Sequence, residues 1–185
     1  RGVRAGLILR GGTGKAGSVM KLEPNHPTHH LVYCLNVHPG ERWADQMTAI
    51  ESACVELRRR LSANRPFGLG LRVSARAARE LDRPGRPEAL RRRFEELGMY
   101  AVTINGFPFG RFHGQPVKER VYAPDWRSDA RLAYTLRLAR ILAGWIPPDV
   151  PGSISTVPGS FGPWVRGRPA VEAIVRRWME AVREL

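Results

Sequence analysis

Lysine is scarce in this chain: of 30 basic side chains only Lys15, Lys21 and Lys118 are lysines, and the rest are arginine. Cysteine is scarcer still, with Cys34 and Cys54 alone, which excludes a disulfide-stapled scaffold. Cys34 lies in a strand-like apolar run and Cys54 on a helix-like stretch, so both are expected to be small buried hydrophobes in a reducing compartment. No apolar run approaches the roughly 18 residues that a membrane-spanning helix needs. Acids number 17 against the 30 bases, for a net charge of +13. Such an excess suits a nucleic-acid surface only if the bases cluster with aromatic platforms. Here Arg58-Arg59-Arg60, Arg91-Arg92-Arg93 and Arg176-Arg177 are spread over separate helix-like stretches with acids between them. They read as a solvated outer ring of helices.

What is present suffices for one well-buried domain: 185 residues, 43% of them hydrophobic. The first 19 residues stand apart, with four bases, no acid and a Gly/Ser-rich stretch before Met20. They are expected to be a disordered leader, with the domain proper over 20–185. Gly11-Gly12-Thr13-Gly14-Lys15 resembles a phosphate loop but fails it twice. Leu9 stands where the first glycine belongs, and Ala16 stands where a hydroxyl should meet magnesium.

From His30 onward a pattern of about 40 residues repeats: a β-rich run, a polar turn, an amphipathic helix. The first run is Leu31 to His38, and a helix face follows at Trp43, Met47, Ile50, Cys54, Leu57 and Leu61. The second run, Phe67 to Ser74, precedes a helix interrupted at Pro84-Gly85-Arg86-Pro87 and resumed with Leu90, Phe94 and Leu97. The third, Met99 to Asn105, leads into a long loop, then a helix capped by Ser128 that carries Leu132, Leu136, Ala139, Leu142 and Ile146. The fourth, Ser153 to Val157, precedes a helix with Pro169 in its first turn and Val171, Ile174, Val175, Trp178 and Val182 along one side.

Alternation of this kind predicts parallel βαβ units. Each run also has one aliphatic face and one small or polar face. Cys34, Asn36 and His38 oppose Tyr33, Leu35 and Val37; Gly68, Gly70, Arg72 and Ser74 oppose Leu69, Leu71 and Val73. Ala101, Thr103 and Asn105 oppose Val102 and Ile104, and Ser153 and Ser155 flank Ile154. A sheet clad by helices on both sides should be aliphatic on both faces. A barrel lined by small residues and polar at its C-terminal mouth gives the observed split. The expected fold is therefore α/β, a partial (β/α)8 TIM barrel of about four βα units, half the eight that a complete barrel has. The alternative is an open α/β sheet with a few polar strand ends. A half barrel with two raw edges is expected to be poorly stable or to self-associate.

Candidate ligand-binding residues follow from that placement. Asn36 and His38 end the first strand, Arg72 the second and Asn105 the third. Arg72 inside a barrel mouth needs an anion, on a substrate or on a buried acidic partner. The loop after Asn105 alternates aromatic with polar residues, a composition typical of a binding element or lid. It adds His113, Lys118 and Tyr122 to the set; Lys118 is equally suited to pairing with Glu119 on the surface. His26, His29 and His30 lack the helical or hairpin setting of a zinc site. No strand end carries Asp or Glu, so no metal-carboxylate set or acid/base pair is visible.

Tyr33-Cys34-Leu35-Asn36-Val37-His38-Pro39-Gly40-Glu41-Arg42-Trp43 resembles the opening strand motif of the EboE family, the metabolite traffic proteins of bacterial Ebo clusters. Phe67 to Ala75, Thr103 to Trp126 and Gly152 to Pro158 resemble the same family, in order and at matching spacing. The family belongs to the xylose-isomerase-like barrel superfamily. The resemblance covers about Leu31 to Leu185, the N-terminal half of such a barrel. It implies a cytoplasmic protein that moves or processes a small hydroxylated or anionic metabolite, with other Ebo-cluster proteins as partners. Two functions are consistent with it: a metal-dependent isomerase or epimerase, and a non-catalytic metabolite-binding protein; an endonuclease IV-like repair fold ranks last. The superfamily's divalent-metal ligands come largely from second-half strands, so none transfers to this sequence.

Overall fold

Each of the four runs rich in aliphatic and aromatic residues contains a strand. The computed structural model describes residues 6–9, 29–111, 113, 114 and 116–185. The strands are β1 Gly6–Leu9, β2 Tyr33–Cys34, β3 Phe67–Arg72, β4 Met99–Asn105 and β5 Gly152–Ser155. They form one sheet in the order β1-β5-β4-β3-β2. β2 to β5 are parallel and stand in chain order, while β1 pairs antiparallel with β5. β1 falls within the segment expected to be a leader. Gly11 to Lys15, Met20 and His26 lie outside the described residues.

Helices separate the parallel strands. α1 Trp43–Ala49 runs through one π-helical stretch, Ile50–Cys54, into α2 Val55–Leu61. α3 Ala75–Leu81 and α4 Arg86–Glu96 join β3 to β4, α5 Asp129–Trp145 joins β4 to β5, and α6 Gly167–Glu184 follows β5. The architecture is mixed α/β, a four-strand parallel sheet alternating with helices. The capping chemistry matches the sequence: Ser74 accepts from the Ala77 amide and Ser128 from the Ala130 amide. No described helix is long and apolar enough to cross a membrane.

The main core lies on one face of the sheet. Phe67, Leu69, Leu71, Met99, Ala101, Ile104 and Ile154 meet Trp43, Ile50, Cys54, Leu81, Phe94, Leu138, Leu142 and Trp145 from the helices. Trp43, Phe94 and Trp145 stack mutually with ring centroids 5.2–6.5 Å apart. The opposite face carries Cys34, Gly68, Gly70, Thr103, Ser153 and Ser155, and beside them a separate small apolar group of Val32, Tyr100, Val102 and Val150. Gly68 is required there, because a Cβ would stand 2.6 Å from the Leu31 carbonyl oxygen.

Several expectations are corrected. The first run extends as a strand only over Tyr33–Cys34, then tightens into a 3-10 turn at Leu35–Val37. The turn breaks the period of two, so Leu35 is buried while Val37 is exposed. Cys34 is exposed, not buried, because it lies on an edge strand, on the face away from the described helices. In β4 the register shifts, with Leu69 opposite Ala101 and Gly70 opposite Thr103, so Val102 is an extra residue. Ala101 consequently joins the helix-side core rather than the face of Thr103 and Asn105. In α5 the predicted Ala139, Leu142 and Ile146 are buried and Leu132 and Leu136 half-buried, and the buried side widens to Arg131, Tyr134, Thr135, Leu138, Ile141 and Trp145. In α6 only Ile174 and Ala181 are buried, and Val171, Val175, Trp178 and Val182 are exposed.

Candidate functional site

The carboxyl ends of parallel strands concentrate loop and helix starts on one edge of the sheet, where α/β folds bind ligands. At the end of β2, the Asn36 side chain points its Oδ1 into a solvent-shielded position where no hydrogen bond reaches it. Its carbonyl accepts from His113 Nε2 at 2.7 Å. That bond draws the loop after β4 across the end of β3 to the end of β2. The same loop is tied down by the Ala75 amide donating to the Phe109 carbonyl at 2.8 Å. The Tyr134 hydroxyl adds bonds to the Val73 and Pro108 carbonyls.

Arg72 ends β3 fully buried. It donates to Glu41 Oε1 at 3.1 Å and to the Gly40 carbonyl, while its Nε has no partner. Of the two anions that the sequence left open, the structure supplies the acidic partner within the chain. Ser74 donates to the Glu41 carbonyl at 2.6 Å, fixing the same turn from a second side. At the ends of β4 and β5, Asn105 Oδ1 accepts from the Ser155 hydroxyl at 2.9 Å and the Phe107 amide at 3.1 Å. Ser153 and Thr103 are linked through their hydroxyls at 2.8 Å one step earlier. Just past β5, Thr156 Oγ1 is buried with no partner.

The remaining sequence candidates are placed differently. His38 leaves the strand line at the 3-10 turn and shares a 3.0 Å hydrogen bond with the Tyr33 hydroxyl, which belongs to the helix-side face. Lys118 is exposed at the start of a short 3-10 turn, Lys118–Tyr122, with φ +39. No ion pair joins it to Glu119 among the described residues. Tyr122 packs edge-on against Phe107 at 5.4 Å and beside Phe161 at 5.5 Å. The structure thus brings together Asn36 with His113, and Asn105 with Ser155. Arg72 lies beneath them as a fixed support.

Three groups escaped sequence reasoning. Glu41 carried no signal beyond following a turn. Arg131 is fully buried, donating to the Pro124 carbonyl at 2.8 Å, the Gly106 carbonyl at 2.8 Å and the Phe107 carbonyl at 3.2 Å. Burial lowers its pKa to about 10, so it remains a cation at neutral pH. Its spacing from Thr135, Leu138 and Leu142 is helical, a signal hidden because a charged residue is not counted in an apolar stripe. Asp125 is the third. It accepts from the Arg127 guanidinium and the Ser160 hydroxyl, joining the loop to the segment after β5. Burial works to raise its pKa, but those hydrogen bonds outweigh it and hold the carboxyl below its ordinary value.

No three His, Cys, Asp or Glu side chains among the described residues form a metal-ligand group. His38 is held by Tyr33 and Glu41 by Arg72. No family model matches the chain, and no curated protein or solved structure is significantly similar to it.

Proposed function

We propose that the chain forms one wall of a (β/α)8 barrel of the EboE kind, and that its strand ends bind a small hydroxylated metabolite. Parallel strands in chain order, a helix-clad core on one side and a small-residue face on the other support the barrel reading. The observation that carries the binding reading is the pair of buried, unpartnered oxygens at the carboxyl ends of β2 and β5, Asn36 Oδ1 and Thr156 Oγ1. Buried polar atoms normally have partners; β3 and β4 stand between these two strand ends, so each oxygen is suited to a ligand hydroxyl group of its own. Binding without catalysis is favoured over isomerase or epimerase chemistry. The two histidines at this edge already serve as hydrogen-bond partners, His38 to Tyr33 and His113 to the Asn36 carbonyl.

The test separates binding from folding. Removing an unsatisfied buried polar atom costs little stability, so Asn36→Ala and Thr156→Val should unfold at denaturant concentrations equal to or above that of the parent. Both should lose about tenfold in affinity for the hydroxylated probes that the parent binds. Xylose, ribose 5-phosphate and glycerol 3-phosphate are suitable probes, followed by nuclear magnetic resonance titration. Shifts that spare residues 36, 105, 113 and 156, or variants that bind as the parent does, would refute the reading.

A further inference from the structure

The loop between β4 and α5 borders a partly open cavity of its own, about 200 Å³, separate from the strand-end oxygens. Pro108, Phe109, Val117 and Val121 give it apolar walls, and Arg111 and Arg120 line it as well. Between residues 106 and 124 the bases are Arg111, Lys118 and Arg120, and the single acid is Glu119. Elsewhere about half of the described arginines pair with acids, among them Arg59 and Arg60 with Glu56, Arg137 and Arg140 with Asp82, and Arg127 with Asp125. Neither Arg111 nor Arg120 has a carboxylate partner among the described residues. Arg111 donates only through Nε, to the His113 carbonyl at 3.1 Å, which leaves its terminal nitrogens for another acceptor.

We propose that this cavity binds a small amphipathic anion, a carboxylate or phosphate monoester on a short apolar body, with Arg111 and Arg120 holding the charged end. The apolar walls can pack against the body of such a ligand, and guanidinium groups match the planar or tetrahedral oxygens of either head group. At about 30 Å³ per water-sized group, the cavity takes a body of roughly six or seven heavy atoms. The site is independent of the strand-end reading and stands if that reading fails.

Calorimetric titration of the whole chain with hexanoate, butyl phosphate, inorganic phosphate and 1-hexanol tests the proposal. Hexanoate or butyl phosphate should bind at least about tenfold more tightly than either inorganic phosphate or hexanol. Whichever of the two binds better identifies the head group. Arg111→Gln and Arg120→Gln, both at exposed residues, should each weaken the better anion about tenfold while leaving the far-ultraviolet spectrum unchanged. Asn36→Ala should leave it unaffected. Equal binding of hexanol and hexanoate, indifference to both arginine substitutions, or no binding of either anion would overturn the proposal.

Discussion

Arg131 fixes the path of the β4–α5 loop at the level of single atoms. Three backbone carbonyls from Gly106, Phe107 and Pro124 converge on one buried guanidinium, flanked by the rings of Phe109 and Tyr134 at 5.7 and 5.4 Å. Replacing it with Met fills similar space but strands those carbonyls, so a loss of about 3 kcal/mol is expected from chemical denaturation. Lys should recover only part of this, since an ammonium cannot reproduce the planar fork. Asp125 makes stability depend on acid. Its folded pKa lies below the unfolded value of about 3.9, so its contribution is complete above that pH and is lost as pH falls through the depressed folded value. Asp125→Asn should therefore be less stable at neutral pH, with a flatter stability profile in acid, as measured by thermal melts across pH. Of these residues only Arg72 was legible in the sequence, as a charge that needs an anion. Its partner Glu41 was not, because the contact crosses 31 residues and depends on a turn that no periodicity encodes.

Elements were legible wherever local chemistry decides them. Met99–Asn105 has the predicted bounds, the break between α3 and α4 falls at Pro84-Gly85, and Ser128 caps α5. The misses in the strands share a physical cause, a change of period within an element. The 3-10 turn after Cys34 and the extra residue Val102 each move side chains to the other face, and strict alternation cannot foresee either. The apolar stripe of α6 was read correctly as residues but not as core: Ile174 faces Trp126 and Val157, whereas Val175 is 47% exposed. Ile174→Ala should cost about 2 kcal/mol or more. Val175→Ser should change stability by no more than about 0.5 kcal/mol. Urea titration of the two variants distinguishes them, and equal losses would mean that α6 packs through its whole stripe.

At the scale of the molecule the sheet has two unlike faces, and the barrel and binding proposals depend on that asymmetry. The sequence carried it in the small and polar residues opposite the aliphatic ones, although it could not specify which turns close over the strand ends. The two cysteines report on the two faces. Cys34 is exposed on the side away from the described helices, and Cys54 is wholly buried beneath the helices, where burial raises its pKa to about 11. Thiol labelling of the native chain with a disulfide reagent is the most direct measurement. One equivalent should react rapidly at Cys34, and Cys54 should react only on unfolding. A protected Cys34 in the monomer would mean that the second face is covered as in a doubly clad sheet, and would contradict the barrel reading.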